Sequence, residues 1–290
     1  MATEQPLIVI VGPTASGKTG LAVSLAKEFG GEIISADSRT IYRGMTIGTA
    51  KPTAEEMDDI PHHLIDLVDP DEEFTLWNFQ QLAKEKIADI RSRGNIPFLV
   101  GGSGLYVDSV IFDYEITPQS IDYSARRELE KKMVGDLIMM IKKQHLELPH
   151  NDKNKRHLIR ALEQGQINRK RLERPLTNTI VVGITTYKET LETRMRLRAE
   201  EMLAAGLVGE TQNLIANYGD QPIFHSNSYG EVQKFLCGDI TTQEQLIDRI
   251  VTVDRQLAKK QLTWFRRNNY ITWLPLDQVR DYVVKALGRS

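Results

Sequence analysis

Residues 7–19 read LIVIVGPTASGKT, and this stretch decides the fold. Its aliphatic first part, Leu7–Val11, predicts a buried strand. The second part, Gly12–Thr19, fits the pattern G-x-x-x-x-G-K-[ST] without a mismatch. An apolar periodicity then predicts a helix that ends at Gly30 and Gly31. A strand, a glycine-rich turn and a helix in this order predict a P-loop within a parallel α/β sheet.

The glycine-rich turn predicts a polyphosphate site. Its glycines let the backbone curl so that successive N–H groups point at one anion, and the start of the next helix adds positive potential. Lys18 is expected to reach the outer phosphate oxygens, and the Thr19 hydroxyl to bind Mg²⁺. The motif specifies neither the polyphosphate nor whether a phosphoryl group is transferred. The residues predicted to bind the phosphates are Gly12, Pro13, Thr14, Ala15, Ser16, Gly17, Lys18 and Thr19.

Size and composition place further bounds on the protein. A chain of 290 residues suits one large or two modest domains. The formal net charge of -2 means that any nucleic-acid binding depends on local patches. The single Cys237 excludes an intramolecular disulfide and a Cys-rich zinc site, and we expect it to be inert. Without a charged-then-apolar leader or an apolar run of about 18 residues, we expect a cytoplasmic protein with no membrane contact.

A second predicted strand, Glu32–Ala36, ends at Asp37. Ligands of open parallel sheets bind at the carboxyl ends of the strands, so Asp37 is directed at the same crevice as the P-loop. Three roles stay open for its carboxylate: ligand of Mg²⁺, general base, or cap of the following turn. Residues 37–52 are rich in Gly and Thr and predict a long loop, of a length that is usually functional.

Two further stretches of the first third are informative. His62 and His63 are adjacent, and side chains of neighbouring strand residues point to opposite faces, so we expect structural hydrogen bonds rather than a shared metal. A helix is predicted over 75–91, and a buried strand over Pro97–Val100. That strand ends in glycines and Ser103 instead of an aspartate, which weakens an ATPase interpretation. Glycines at this point leave room for a ligand or another backbone to approach closely.

The last third predicts a return to the sheet. Ile180–Ile184 reads as a buried strand, followed by a helix from Leu191 to Leu207. Gln243–Arg267 predicts a long helix in which basic residues alternate with Trp264 and Phe265. This composition suits a stacked RNA loop, although a core position for Trp264 is an equal alternative. A final edge strand over 271–274 and a short helix complete the chain.

Four segments in order, GPTASGKT (12–19), DSRTIYRGMTIGTAKP (37–52), IPHHLIDLVDP (60–70) and PFLVGGSGLY (97–106), resemble the tRNA dimethylallyltransferases. The likeness resumes in KRHLIRALE (155–163), in the helix 194–207 and in LAKKQLTWFR (257–266). The resemblance implies a P-loop α/β catalytic core, residues 1–112 and 180–290, with a small helical insertion over 113–179 that contacts tRNA. The implied reaction moves the dimethylallyl group of dimethylallyl diphosphate to the N6 amine of the adenosine 3′-adjacent to the anticodon, releasing diphosphate.

The resemblance also implies a role for each matching residue. Lys18, Mg²⁺ at Thr19 and Arg198, with Arg194 beside it, would stabilise the departing diphosphate. A surface ion pair with Glu200 or Glu201 is the alternative for either arginine. Asp37 would be the general base, acting on an adenine flipped out of its stack. The residues expected to contact tRNA are Asp37, Ser38, Arg39, Thr40, Ser103, Arg126, Arg156, His157, Arg160, Lys259 and Arg266.

The middle of the chain is expected to be helical and basic. Ser124–Lys143 predicts one helix whose apolar face includes Met133, after a polar break at 117–122. Arg156 and Arg160 share a helix face within a run that favours RNA contact over a merely solvated surface. Between 153 and 174 eight basic residues stand against two acidic ones, namely Lys153, Lys155, Arg156, Arg160, Arg169, Lys170, Arg171 and Arg174.

Some positions depart from the family pattern. Thr40 stands where Gln is common, Ser103 where Thr is common, and Asp254 where Thr is usual. Residues 227–231 read NSYGE where the family usually has IGYKE. We interpret these changes as drift in supporting positions, with base contacts at Thr40 in question.

Three other functions remain alternatives. A nucleotide or small-molecule kinase shares the P-loop but has no need of RNA-facing basic patches. An isopentenyltransferase acting on free adenine nucleotides is a close variant. A non-catalytic RNA-binding protein is disfavoured by the intact Lys18, Thr19 and Asp37. We expect a monomer.

Overall fold

The computed structural model describes residues 4–116, 123–149, 151–165 and 171–289. Its strands are β1 (Leu7–Val11), β2 (Gly31–Ser35), β3 (His62–His63), β4 (Ile96–Gly101), β5 (Thr179–Thr185) and β6 (Thr272–Pro275). They form one sheet with the order β3-β2-β4-β1-β5-β6, and every neighbouring pair is parallel. The predicted α/β class with a parallel sheet is therefore confirmed.

Helices connect the strands and follow them along the chain. The first helix follows the P-loop and ends at Gly30, whose φ of 69° forms a left-handed cap. The helices are α1 (Lys18–Phe29), α2 (Ala54–Met57), α3 (Leu76–Ser92), α4 (Gly104–Ile111), α5 (Tyr123–Lys131), α6 (Val134–Lys143), α7 (Lys155–Gln164), α8 (Lys188–Ala204), α9 (Leu207–Tyr218), α10 (Asn227–Leu236), α11 (Gln243–Phe265) and α12 (Val279–Ala286). In the described part of the chain, none combines the length and apolar character needed to cross a membrane.

The chain forms two compact units. One contains the residues up to Phe112 and those from Arg174 onward, and the other contains Asp113–Glu173. The predicted insertion ran to 179, but Leu176 already donates its backbone N–H to the carbonyl of Ile111, 2.8 Å away. The chain has therefore rejoined the larger unit before β5 begins. The inserted unit has its own apolar core, formed by Leu137, Ile141, Leu158, Ile159 and Ala161.

The structure corrects two helix predictions. The single helix expected over Ser124–Lys143 is two helices, because Met133 adopts an extended backbone and begins α6 as its N-cap. Its side chain is 76% exposed, so it does not belong to the apolar face. The helix expected to run to Leu207 ends at Ala204, since Gly206 takes a φ of 98° and starts α9, which was not predicted. The polar break at 117–122 lies outside the described residues.

The other elements that the sequence predicted agree with the structure to within a few residues. β1 is completely buried, α11 is the predicted long helix, and β6 is the predicted edge strand. Cys237 follows α10 and is exposed, although its surroundings in the sequence are apolar.

Candidate active site

A cleft of about 540 Å³ lies at the carboxyl ends of the strands. Residues of the P-loop line it, together with Asp37 and the loop that follows Asp37. Helices α8 and α11 contribute Arg194, Arg198 and Asp254 to its wall. The P-loop and Asp37, which the sequence predicted to face the same crevice, therefore line one cavity.

The P-loop is a tight turn between β1 and α1. Gly17 has a φ of 87°, in the left-handed region that glycine adopts without strain, and it precedes the first helical residue. The Ser16 hydroxyl is buried and has no hydrogen-bond partner among the described residues. Lys18 Nζ donates to the carbonyl of Pro13 over 3.3 Å. Burial lowers the pKa of Lys18 to about 8; the nearby Asp37 charge opposes this shift and the Arg198 charge adds to it.

Two arginines of α8 lie against the P-loop, one helical turn apart. Arg194 donates to the carbonyls of Ala15 and Ser16, at 3.4 and 3.3 Å. Arg198 donates to the Thr14 hydroxyl, 2.7 Å away, and forms an ion pair with Asp254. The alternative of a surface ion pair is not realised by these two residues.

Arg196, between them in sequence, takes the surface role instead. It pairs with Glu200 on its own helix and with Glu244 and Asp248 of α11. The α8 helix therefore presents Arg194 and Arg198 to the cleft and Arg196 to the solvent.

Asp37 lies two residues beyond the end of β2 and lines the cleft. Its Oδ1 accepts the backbone N–H of Arg39 over 2.9 Å, the single hydrogen bond that the described residues give its side chain. This bond fits the turn-capping alternative, yet a carboxylate has room for several more donors. Its other oxygen is available to a ligand in the cleft.

The glycine end of β4 lies against the backbone that carries Asp37. A Cβ built on Gly101 would fall 2.1 Å from the carbonyl oxygen of Ala36, so only glycine fits there. Ser103 continues the contact: its N–H donates to the Ala36 carbonyl, and its hydroxyl accepts the N–H of Ser38, at 3.2 and 3.0 Å. The expected close approach of another backbone to these glycines is confirmed.

Arg39 and Thr40 also line the cleft. Burial lowers the pKa of Arg39, against the opposing charge of Asp37. The hydroxyl of Thr40 is 3.0 Å from that of Ser35 and donates over 3.4 Å to the Asp37 carbonyl. Thr40 thus braces the turn that holds Asp37.

Glu210 of α9 clamps the loop that forms the wall beside Asp37. Its carboxylate accepts the backbone N–H groups of Thr46, Ile47 and Gly48, at 3.2, 2.8 and 3.0 Å. The hydroxyl of Tyr229 donates to it over 2.6 Å. Burial and this carboxylate both raise the pKa of Tyr229. Gly48 lies so close to the Tyr229 ring that an added Cβ would be 2.5 Å from it.

Sequence reasoning missed this clamp. The loop and Glu210 are more than 160 positions apart, and no motif marks the acidic residue. The one sequence feature that could have pointed to it is segment 227–231, which differs from the family pattern. This segment supplies Ser228 and Tyr229, which contact the loop at Gly48.

The two histidines make the expected structural hydrogen bonds. His63 Nε2 lies 2.7 Å from a Glu32 carboxylate oxygen, and His62 Nδ1 lies 2.8 Å from the Ile60 carbonyl. Across the described ranges, no group of three or more His, Cys, Asp or Glu side chains is arranged to hold a metal. The hydrogen bonds predicted for His62 and His63 are therefore confirmed.

A family profile described as IPP transferase matches residues 40–268. The chain belongs to the IPP transferase family. A second profile, isopentenyl transferase, matches residues 5–67. The resemblance stated from the sequence is thereby confirmed.

Relatives of this IPP transferase family member match it over nearly their whole length. Proteins named tRNA dimethylallyltransferase from Bacillus pumilus and Bacillus subtilis are 38% and 35% identical to it. The alignments cover 99% and 98% of this chain, and 98% and 95% of the relatives.

Solved structures agree with the fold of the family. A full-length tRNA isopentenylpyrophosphate transferase from Bacillus halodurans has a TM-score of 0.74 and 38% identity, covering 98% of this chain and 97% of the other. A eukaryotic dimethylallyltransferase acting on tRNA has a TM-score of 0.74 at 24% identity, which supports the fold alone. The predicted fold, a P-loop core in the IPP transferase family, is confirmed.

The residues expected to contact tRNA occupy separate places in the IPP transferase fold. Asp37, Ser38, Arg39, Thr40 and Ser103 lie together in the cleft. Lys259 and Arg266 are exposed near the end of α11. The inserted unit carries the others: Arg126, Arg156, His157 and Arg160.

These basic residues differ in how free their charges are. Arg156 and His157 are exposed on the first turn of α7, whereas Arg126 pairs with Glu163 over 3.2 Å. Arg169 and Lys170 of the basic run lie outside the described residues. Trp264 is half-buried, and its ring N–H donates to Asp108 over 2.8 Å, which favours the core alternative over RNA stacking.

Proposed function

We propose that this protein transfers the dimethylallyl group of dimethylallyl diphosphate to the N6 amine of the adenosine 3′-adjacent to the anticodon in tRNA. Membership of the IPP transferase family, with relatives named tRNA dimethylallyltransferase, supports transfer to tRNA. The observation that carries the donor and acceptor chemistry is the cleft itself. It joins a P-loop with two adjacent arginines to the carboxylate of Asp37.

The P-loop end suits the leaving diphosphate. Lys18, Arg194 and Arg198 supply positive charge beside backbone N–H groups, and these donors stabilise charge that develops as the C1–O bond breaks. The electron pair of that bond leaves with the diphosphate. The P-loop therefore serves departure of the diphosphate and transfers no phosphoryl group.

The donor set fits Mg²⁺ bound together with the substrate. Thr19 is exposed at the start of α1 and lines the cleft, so its hydroxyl would be the protein ligand. Mg²⁺ commonly takes few protein ligands and completes its shell with phosphate oxygens and water. When bound, it would neutralise charge on the leaving diphosphate.

Asp37 suits the acceptor side of the reaction. The amine nitrogen forms the new bond to C1 of the dimethylallyl group, and its proton passes to the free carboxylate oxygen of Asp37. The target base has to leave its stack in the anticodon loop to reach this cleft, at a cost of a few kcal/mol. The exposed basic residues, such as Arg156 and Lys259, would bind the RNA phosphates.

We also propose that the protein acts as a monomer. The test is transfer of label from dimethylallyl diphosphate, with Mg²⁺, to unmodified tRNA that carries adjacent adenosines in its anticodon loop. AMP and ATP serve as parallel acceptors. We expect label in tRNA alone, and loss of transfer when EDTA removes Mg²⁺. Label in free nucleotides, or ATP consumption without prenyl transfer, would contradict the proposal.

A further inference from the structure

We propose that Asp254 is a positioning residue, which holds Arg198 in place to bind the diphosphate. The inference rests on the proposed function, since it concerns the phosphate end of the same cleft. Asp254 lies on α11, is 7% exposed, and forms an ion pair with the NH2 group of Arg198. The same NH2 group donates to the hydroxyl of Thr14 in the P-loop, 2.7 Å away. One nitrogen of the guanidinium is thus fixed between a carboxylate and the phosphate loop.

The rest of the guanidinium remains available. Among the described residues, neither Nε nor NH1 of Arg198 has a hydrogen-bond partner, and Nε is buried. A buried donor without an acceptor is unfavourable, so an anion that reaches this side chain gains from satisfying it. Asp254 therefore holds Arg198 by one end and leaves donors for a phosphate oxygen. Arg198 itself lines the cleft.

Asp254 also balances the positive charges of Lys18 and Arg198. Lys18 and Arg198 are close enough for the charge of Arg198 to lower the pKa of Lys18. Without a counter-charge, repulsion would drive the long Arg198 side chain away from the loop. Asp254 offsets this repulsion while lying on the opposite helix of the α8–α11 pair.

A second residue of α11 acts on the same point of the loop. Gln261, seven positions after Asp254 and hence on the same helix face, accepts the backbone N–H of Thr14 over 2.8 Å. Thr14 is therefore tied to α11 directly through Gln261 and indirectly through Arg198 and Asp254.

Positioning of Arg198 and competition for Arg198 predict opposite results. If Asp254 positions Arg198, removing its side chain weakens diphosphate binding. If Asp254 merely competes with the diphosphate for Arg198, removing it tightens binding. The measurement is calorimetric titration of inorganic diphosphate with Mg²⁺ into the full chain, for the wild type, Asp254→Ala, Asp254→Asn, Arg198→Ala and the double variant Arg198→Ala/Asp254→Ala.

We expect Asp254→Ala to weaken binding about tenfold, because the bond it removes joins two charged groups. Asp254→Asn keeps an acceptor for Arg198 and should recover part of the affinity. In the Arg198→Ala background, loss of Asp254 should have no further effect. Unchanged or tighter binding by Asp254→Asn and Asp254→Ala, or an equal loss in the Arg198→Ala background, would overturn the inference.

The chain offers a matched control. Asp248 lies on the same helix and pairs with Arg196 of α8, but on the solvent side. Asp248→Ala should leave diphosphate binding unchanged. If the Asp254 variants melt earlier than Asp248→Ala, the partial recovery in Asp254→Asn still separates positioning from loss of folding. A wild-type protein that binds no diphosphate would overturn both this inference and the proposed function, whereas normal wild-type binding with normal Asp254→Ala binding would overturn only the inference.

Discussion

Two carboxylates at opposite ends of β2 show how differently two sides of the sheet are built, the one at the amino ends of the strands and the one at their carboxyl ends. We refer to these two sides as edges. Glu32, near the amino end, has a side chain that is 6% exposed and is bound by Arg93, Asn95 and His63. Asp37, beyond the carboxyl end, has one hydrogen bond within the described ranges, to a neighbouring backbone N–H. Glu32, at what we call the saturated edge, can only hold the structure together. Asp37, at the open edge, can still accept a proton or a ligand.

The largest expected effect tests the open edge. Asp37→Asn should lower kcat by about 10²–10⁴-fold, because an amide cannot accept the proton of the amine. The melting temperature and the Kd for tRNA should stay close to the wild-type values, since Asp37 makes one local bond. Single-turnover transfer and filter binding measure the two quantities. Equal losses in kcat and in tRNA affinity would make Asp37 a binding residue instead.

The next effect concerns how the open edge is supported. Gly101→Ala places a Cβ against the Ala36 carbonyl, and overpacking against backbone should lower the free energy of unfolding by about 3 kcal/mol. The folded fraction should also have reduced kcat, because Ala36 precedes Asp37. Denaturant unfolding measures the first effect.

Gly209→Ala is the matched control, since a Cβ at Gly209 would meet no atom within 4 Å. It should match the wild type or exceed it slightly in stability. A Gly101→Ala variant that behaves like Gly209→Ala would show that the strand ends are not packed as tightly as described.

A smaller effect is expected at the loop beside Asp37. Glu210→Gln keeps a single acceptor oxygen for the three N–H groups of Thr46, Ile47 and Gly48, and it loses the charge that strengthens those bonds. We expect kcat/KM for tRNA to fall about tenfold. Asn213→Ala, at an exposed position of the same helix, should leave the kinetics unchanged. If Glu210→Gln and Asn213→Ala had equal kinetics, the hydrogen bonds of Glu210 would not be needed to hold the cleft wall.

The smallest effect tests the saturated edge. Burial alone would raise the pKa of Glu32, but the hydrogen bonds from Arg93, Asn95 and His63 together outweigh it and lower the pKa. A lowered pKa stabilises the folded state above the unfolded-state value of about 4.3, and this contribution is lost as pH falls through the folded-state pKa. The free energy of unfolding of the wild type should therefore exceed that of Glu32→Gln at pH 7, and the gap should close towards pH 3.

The gap at pH 7 should stay below about 1 kcal/mol, because Arg93 is 42% exposed and water screens the pair. Urea unfolding at several pH values measures it. Turnover at pH 7 should be the same for both proteins. A gap that persists at pH 3, or a loss of turnover in Glu32→Gln, would contradict the assignment of the two carboxylates to separate tasks.

The two edges also differ in how far the sequence predicts them. The P-loop, Asp37 and the glycines of β4 are encoded within short segments whose local geometry fixes where they point, so the open edge could be read from the motif. Only the family resemblance predicted that the arginines of α8 lie beside the P-loop. Their actual bonds, to the Ser16 and Ala15 carbonyls and to Thr14, required the structure.

Long-range side-chain pairs account for most of what the sequence did not predict. The contacts between Glu210 and Gly48, and between Arg198 and Asp254, join residues 162 and 56 positions apart. Neither pair has a periodic or motif signal. The break at Met133 was missed for a local reason, because an apolar residue at helical spacing gives no sign that its backbone is extended.

The hydrogen bond between Leu176 and Ile111 has a consequence for how the protein varies in length. The chain leaves the larger unit and re-enters it at two points that are hydrogen-bonded to each other. The inserted segment therefore has to do no more for the core than connect these two points. A long inserted segment costs little more free energy to close than a short one, because the entropic cost of loop closure grows only with the logarithm of the number of residues in the loop. Evolution could therefore lengthen, shorten or replace residues 113–173 with little effect on the chemistry at the sheet edge.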